Sequence, residues 1–264
     1  MKIRKEAVAG AFYPYGPTEL DALLEALLYQ KELPDIPPPK AVIVPHAGYV
    51  FSGQTAAVAY RRLSSSDSIT KRVVIFGPCH RVPFNGLALS SADKWETPIG
   101  EINVDTKTCQ ELNELEFVNY NDDAHNEEHS IEAQIPFIKK VFNNVEIVPI
   151  LTCMTSLKEA VAVMEKVWGD EETLIIISAD LSHFLDYDAC KQKDAETVKA
   201  IENLDYSDLD NDNTCGFIPI CALIDIARRK KMKVETFDVR NSGDTAGKKD
   251  SVVGYASIGF WEII

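Results

Sequence analysis

Four continuous apolar runs of strand length constrain the fold of this chain more than any other feature of its sequence. They are AVIVP at 41–45, VVIFG at 73–77, VEIVPIL at 145–151 and TLIIIS at 173–178. Rich in valine and isoleucine and lacking strict polar alternation, such runs are typical of strands that are covered on both faces. They therefore predict the central strands of a sheet that has helices packed on each side.

Helical patterns occupy the segments around these runs. An opening helix over 18–30 is predicted because leucines recur there at the spacing of one helix face. Further helical patterns lie near 53–63, 129–142, 156–168, 189–203 and 215–230. Because strands alternate with helices, we expect an α/β fold with a mostly parallel central sheet and helices on both faces.

The remaining apolar segments predict peripheral strands. One strand is expected near 232–239 and a closing strand over 251–261. GLALS at 86–90 and EINVD at 101–105 predict short strands of a peripheral hairpin region. A chain of 264 residues is near the upper size that one hydrophobic core serves, so a single domain over 1–264 is expected.

The charge of the chain disfavours two classes of partner. Lysine and arginine number 27 against 41 aspartate and glutamate residues, which gives a formal net charge of −14. A field of that sign repels phosphate backbones and anionic membrane surfaces. We therefore expect neither nucleic acid nor membrane as a partner.

The cysteines and the N-terminal segment indicate a reducing compartment. The six cysteines include no CxxC pair and no regular framework, which disfavours a zinc ribbon and a disulfide scaffold. MKIRKEAVAGAFYP lacks the apolar segment of a secretory signal, and no stretch approaches the roughly 18 apolar residues of a membrane span. A cytoplasmic location is the expectation.

Three histidines follow predicted strands and mark a candidate reaction centre. His46 and His80 come shortly after the first two apolar runs, and His183 follows the fourth. In an open α/β sheet, the carboxyl ends of neighbouring strands meet at one crevice. Imidazole is the commonest protein ligand for metals and carries protons near neutral pH. A histidine at a strand end can also simply complete a hydrogen-bond network, but two such cases favour a site.

Other polar residues near these strand ends have two interpretations each. Asp180 stands three residues before His183, and in a helical turn it would orient that imidazole or share its proton. Alternatively, Asp180 caps a short helix. His129 is expected to point into the crevice from the start of a helix, whereas His125 is expected at the surface or in a cap.

Asp244 lies in the flexible loop NSGDTAG, which must return to the same end of the sheet. With His46 and His80 it would supply the two histidines and one carboxylate of non-haem Fe(II) enzymes. Composition alone favours an ordinary turn for this segment. Cys79 and Cys190 are expected to be small core residues.

Six motifs in order resemble a known family. They are VAGAFYP at 8–14, PHAGYVFSG at 45–53, GPCH at 77–80, EHSIEAQIPF at 128–137, SADLSHF at 178–184 and VVGYA at 252–256. They resemble the Memo family, also called AmmeMemoRadiSam system protein B in bacteria and archaea, from near residue 4 to the end of the chain. That second name implies a functional link to a radical SAM protein.

The resemblance implies a fold like that of the class III extradiol dioxygenases, which bind Fe(II) through two histidines and a carboxylate. By matching motif, His46 and His80 correspond to the two metal-binding histidines, His183 to an acid/base histidine and His129 to a second pocket histidine. Animal members place a cysteine third, in the loop before the last strand, and Asp244 is aligned to that position here. A carboxylate would favour Fe(II) or Mn(II) over Cu(I).

Two functions follow as alternatives. One is a metal-dependent, dioxygenase-like oxidoreductase with Fe(II) on His46, His80 and Asp244, with zinc or copper as other candidate metals. In it, His183, His129 and Asp180 would be the catalytic residues. The other is a non-catalytic protein that binds a peptide or small molecule in the same pocket. Zinc-dependent hydrolysis is a third and weaker reading.

Overall fold

Residues 1–29 and 37–263 are described by the computed structural model. In chain order, the strands of these residues are β1 Ile3–Arg4, β2 Ala41–Val44, β3 Arg72–Pro78, β4 Leu87–Leu89, β5 Lys94–Trp95, β6 Ile102–Val104, β7 Val118–Tyr120, β8 Glu146–Thr152, β9 Thr173–Ser178, β10 His183–Leu185, β11 Lys233–Asn241 and β12 Val252–Trp261. The α-helices are α1 Pro17–Leu28, α2 Tyr49–Leu63, α3 Thr106–Leu112, α4 Asp122–Asn126, α5 Ile135–Val141, α6 Leu157–Val167, α7 Tyr187–Glu202 and α8 Phe217–Lys230.

The centre of the sheet is parallel, as the alternation of strands and helices predicts. Strands β6, β8, β3, β9 and β2 are neighbours in that order and are all parallel. The end of the chain adds β12 antiparallel to β2, and both β10 and β11 pair antiparallel with β12. The fold is therefore α/β, with one mixed and mostly parallel sheet.

The four apolar runs form β2, β3, β8 and β9 in the middle of this sheet. Apart from the first residues of β3 and β8, every residue of these strands is buried. Each fully buried valine or isoleucine side chain contributes about 1.5–3 kcal/mol relative to an exposed one. Burial on both faces explains why these runs do not alternate with polar residues.

The predicted helices are also present, with shifted ends. Helices α1, α2 and α5 pack against one another, while α6 packs against α3 and α8. The opening helix ends at Leu28, and residue 30 of the prediction lies outside the described residues. The segment predicted as one helix over 129–142 is a 3₁₀ turn, Glu132–Gln134, followed by α5. Pro136 in the first turn of α5 suits a helix start there.

The prediction of short strands in a peripheral hairpin region is confirmed in part, since β5 and β6 form a short antiparallel pair. GLALS and EINVD do contain strands, β4 and β6, but these do not pair with each other. β4 lies antiparallel to the C-terminal end of β8, and β6 lies parallel to its N-terminal end. Because β3 pairs with β8 along its whole length, β4 and β6 share the other side of β8, one at each end.

Buried Glu132 fastens the N-terminal segment to the body of the fold. Its carboxylate forms an ion pair with the buried Arg4 guanidinium. It also accepts hydrogen bonds from the backbone N–H groups of Ala7 and Val8 and from Tyr13 Oη. The segment held in this way carries residue 12, which forms one wall of the site described below. No helix within residues 1–29 and 37–263 has both the length and the apolar character needed to cross a bilayer.

Candidate metal centre

His46 and His80 meet at the carboxyl ends of β2 and β3, the two strands on either side of β9. β2 ends two residues before His46, and β3 ends two residues before His80. The two rings lie edge to face with centroids 5.3 Å apart. His129 joins them, with its centroid 4.6 Å from that of His80 and 5.4 Å from that of His46. The structure thus brings these three predicted site histidines together.

Cys215 supplies the third donor beside His46 and His80. Its Sγ lies 3.5 Å from His46 Nε2, and one donor atom from each of the three residues lies within 4.8 Å of the others. Metal–nitrogen and metal–sulfur bonds of about 2.1 and 2.3 Å at a tetrahedral angle separate two donors by about 3.6 Å. The spacing of these residues therefore fits one transition-metal ion.

The start of α8 reaches the end of β9 closely enough to place this thiol. A Cβ on Gly216 would lie 2.4 Å from Ala179 Cβ, so only glycine permits the approach. The backbone N–H of Asp180 donates to Cys215 Sγ at 3.3 Å. Burial raises the pKa of the Cys215 thiol above its ordinary value, so the metal-free side chain is a neutral thiol.

Asp244 does not join this group, contrary to the sequence prediction. One of its carboxylate oxygens accepts a hydrogen bond from Tyr187 Oη at 2.5 Å, and the other accepts from the Asn241 backbone N–H at 3.0 Å. Asp244 closes the 3₁₀ turn Ser242–Asp244 through a reciprocal cap with Asn241. The ordinary turn that composition favours is the structure that forms, and the carboxylate is used to hold it.

Glu128 orients His80. Its Oε1 lies 2.9 Å from His80 Nδ1, and its Oε2 accepts the His80 backbone N–H. A carboxylate on one ring nitrogen sets the tautomer of a metal-binding histidine and directs the other nitrogen toward the ion. Glu128, His80 and His129 form a second group whose donor atoms lie close enough to hold a metal ion. Glu128 Oε1, however, already accepts hydrogen bonds from the backbone N–H groups of His129 and Ser130, which explain this close spacing without a metal.

The electrostatics favour neutral imidazoles at His46 and His129 and an ionised carboxylate at Glu128. Burial is the largest effect on both His46 and His129, and it lowers their pKa values to about 3 and about 4. Burial alone would raise the pKa of Glu128, but the hydrogen bond and charge of His80 outweigh it and lower the pKa to about 2. Neutral imidazoles are the form that binds metals.

Asp180 contacts His46 rather than His183. Its Oδ1 accepts the His46 backbone N–H at 2.8 Å, and its Oδ2 lies 3.9 Å from His46 Nε2. Residues 179–182 form no helical turn, and His183 begins strand β10. Both predictions for Asp180, that it orients His183 from a helical turn and that it caps a short helix, were therefore wrong. Burial raises the pKa of Asp180 above the ordinary aspartate range.

His183 lies where two cavities adjoin the cluster. The first has a volume of about 550 Å³ and is lined by His80, Cys215, His183 and the half-buried Lys193. The second, of about 450 Å³, is lined by His129, Asp180 and His183, with aromatic walls from Phe12, Phe51, Phe184 and Tyr255. We call the two together the cleft. Every predicted catalytic residue thus faces it.

Three other predicted placements have clear outcomes. His125 is buried rather than at the surface, with Nε2 lying 3.1 Å from the Ala88 carbonyl oxygen. Cys190 is buried as expected, and its thiol donates to Asp194. Cys79 is half-buried against the Val82 carbonyl.

Comparison with known proteins places the chain in a family. A family model described as "Memo-like protein" matches residues 4–259. The chain belongs to the Memo family. A MEMO1 family protein of Sulfolobus acidocaldarius is 37% identical over 98% of this chain and 99% of its own length. A MEMO1 family protein of Aquifex aeolicus is 34% identical over 98% of this chain and 100% of its own.

Sequence reasoning about this Memo-family chain missed Cys215 as a candidate donor. It placed this residue at the start of the predicted helix over 215–230 and gave it no further role. A usable signal was present: Thr214, Cys215 and Gly216 directly precede α8, and a glycine at that point allows a helix to approach a strand end. Glu128 was also missed, although it is one residue before His129 in the motif EHSIEAQIPF.

Proposed function

We propose that His46, His80 and Cys215 bind one transition-metal ion, and that the protein is a metal-dependent oxidoreductase acting on a small molecule in the cleft. The 3.5 Å separation of Cys215 Sγ and His46 Nε2 carries the proposal, because it matches two ligands of one ion. Three protein donors that face a cleft leave a coordination position open, which is typical of catalytic rather than structural metal sites.

The donor set changes the expected metal. The carboxylate of Asp244 was the reason to favour Fe(II), and that carboxylate is held in a turn. Two imidazoles with one thiolate form a softer set, which favours copper or zinc. Because zinc has no redox chemistry, copper fits an oxidoreductase at this site best, and iron is the alternative metal. The metal would supply one-electron chemistry at the base of the cleft.

The proton-handling residues of the proposal face the same cleft. His183 lines both cavities, so a molecule bound beside His80 and Cys215 lies within reach of its imidazole. His129 and Asp180 line the aromatic cavity together with His183. His183 would take or deliver the substrate proton, while His129 and Asp180 bind polar groups of the substrate.

A second function uses the cleft without a reaction. Phe184 is 75% exposed, and Phe12 and Phe51 line the same aromatic cavity. Apolar walls with a few polar groups are typical of ligand sites in general. This observation favours a protein that binds a small molecule or peptide there, with the metal as part of the binding surface.

Metal analysis of anaerobically purified protein tests the metal site. We expect about one transition-metal ion per chain in the wild type, in line with three convergent donors, and its loss in His80→Ala and Cys215→Ser. Asp244→Asn is the matched control and should keep its metal, because that carboxylate contacts Tyr187 and Asn241 instead. Full metal content in both ligand variants would refute the site.

Oxygen consumption by metal-loaded protein tests the reaction. A panel of catechols and other aromatic diols suits the aromatic cavity. Turnover that is lost in His183→Gln, at unchanged metal content, supports the oxidoreductase. Binding of panel members without turnover, with either copper or iron, supports the second function. Tightly bound zinc together with hydrolytic activity would contradict both.

A further inference from the structure

A chain of buried polar side chains leads through the core to the ring of His46. Tyr60 Oη lies 2.9 Å from Gln134 Oε1, and Gln134 Nε2 lies 2.8 Å from Ser178 Oγ. Ser178 Oγ in turn lies 3.1 Å from His46 Nδ1. Tyr60, Gln134 and Ser178 have no exposed surface. Buried polar groups of this kind are costly unless every one is satisfied, so the direction of each hydrogen bond matters.

Two backbone carbonyls determine the donor and the acceptor of each hydrogen bond between Gln134, Ser178 and His46. Gln134 Nε2 lies 2.9 Å from the Pro45 carbonyl oxygen, and Ser178 Oγ lies 2.5 Å from the Ser130 carbonyl oxygen. A carbonyl oxygen can only accept. The amide nitrogen of Gln134 must therefore face Pro45, and the single hydroxyl proton of Ser178 must go to Ser130.

His46 is left with one consistent tautomer. The Ser178 hydroxyl donates its only hydrogen bond to the Ser130 carbonyl oxygen. Toward His46, Ser178 Oγ can therefore only accept a hydrogen bond. His46 Nδ1 must carry the proton and donate it to Ser178 Oγ. The lone pair is then on Nε2, the nitrogen that lies 3.5 Å from Cys215 Sγ.

We propose that Ser178 and Gln134 are positioning residues that hold His46 in the Nδ1-protonated tautomer and so present Nε2 to the metal. The inference rests on the metal site proposed above. The two histidines are then held differently: His80 by the Glu128 carboxylate, and His46 by a neutral hydroxyl whose direction the core determines. An imidazole that is hydrogen-bonded to a carboxylate is a stronger metal ligand than one that is hydrogen-bonded to a hydroxyl. His80 should therefore bind the metal more strongly than His46 does.

The tautomer can be read in metal-free protein, independently of activity. Long-range ¹H–¹⁵N correlation spectra of ¹⁵N-histidine-labelled protein separate the two tautomers, and His46→Ala assigns the His46 signals. We expect wild-type His46 to be protonated at Nδ1 alone. Ser178→Ala removes the acceptor, so the signals should move toward the other tautomer. The dissociation constant for Cu(I), or for Fe(II) if iron is native, should rise about 10–100-fold.

Matched variants separate positioning from a general loss of packing. Ser178→Thr keeps the hydroxyl and should retain both the tautomer and the wild-type dissociation constant. Tyr60→Phe should do the same, because the Pro45 carbonyl still orients the Gln134 amide. If Ser178→Ala does not fold, Ser178→Cys replaces the hydroxyl by a weakly accepting thiol and should show the same shift.

The possible failures are distinguishable. Wild-type His46 protonated at Nε2 would refute the proposal that these hydrogen bonds fix the His46 tautomer. A Ser178→Ala variant with an unchanged tautomer would refute it as well. A shifted tautomer with an unchanged dissociation constant would overturn the positioning role of Ser178 and leave the metal site standing. If wild-type His46 is protonated at Nδ1 but the protein binds neither copper nor iron, the proposed metal site is refuted. The proposed role of Ser178 and Gln134 in presenting His46 Nε2 to a metal is then refuted too.

Discussion

Replacing Glu132 by glutamine should cost this protein about 3–5 kcal/mol of its free energy of unfolding, because it breaks a buried ion pair from one side. The Glu132 side chain is 1% exposed and that of Arg4 3% exposed. Glutamine keeps the size and one acceptor oxygen, but it turns an NH₂ group toward the donors that the carboxylate satisfied. Arg4 then keeps carbonyl oxygens and the Trp95 ring, but no carboxylate, as partners for a buried positive charge.

Equilibrium unfolding in urea, followed by circular dichroism, measures this loss. Glu127→Gln is the matched control, since its side chain is 80% exposed and its only ion pair, with Arg81, spans 3.8 Å in the described structure. That surface change should stay within about 0.5 kcal/mol. In Glu132→Gln, amide hydrogen exchange should also rise in residues 7–13, whose backbone the carboxylate anchors.

A double variant tests whether the unpaired charge is the cause. Arg4→Met in the Glu132→Gln background removes that charge. The double variant should therefore lose less free energy of unfolding than the two single losses added together, by up to about 3 kcal/mol. A loss below about 1 kcal/mol in Glu132→Gln, with additive behaviour in the double variant, would refute the reasoning. The consequence for the site is direct, because the Phe12 ring lies 4.7 Å from that of His129.

Three further predictions concern the site and the outer sheet. Cys215→Asp replaces a soft donor by a hard one, so metal competition assays should show a shift from copper toward Fe(II) or Mn(II), and an unchanged preference would speak against Cys215 as a ligand. Gly216→Ala would place a Cβ 2.4 Å from Ala179 Cβ, so it should cost about 1–3 kcal/mol and weaken metal binding, and wild-type values for both would contradict the close approach. Burial by itself raises the pKa of Asp105, but hydrogen bonds from Thr108 and the Arg72 charge outweigh it and lower the pKa. Asp105→Asn should therefore cost about 1–2 kcal/mol at neutral pH. The Asp105 contribution is fully present above the ordinary aspartate pKa of 3.8 and is lost as the pH falls through the lowered value, so unfolding curves of variant and wild type that stay equally far apart in acid would contradict it.

The local sequence was enough to predict the central sheet and two of the proposed donors. The apolar runs of β2, β3, β8 and β9 are long, rich in valine and isoleucine and lack strict polar alternation, and burial on both faces leaves them one place in an α/β fold. Parallel strands then bring their carboxyl ends together by topology alone. For that reason, the sequence alone places His46 and His80 in one crevice.

Tertiary structure decided which side chain stands third beside His46 and His80 in the proposed site. Cys215 and Asp244 both lie in loops that return to the same end of the sheet, and neither loop's composition reveals which side chain points inward. The choice follows from the approach of α8 to β9 at Gly216 and from the turn that occupies both oxygens of Asp244. Periodicity encodes which residues are buried, whereas contacts between loops depend on how whole elements pack, and that information is spread over the chain.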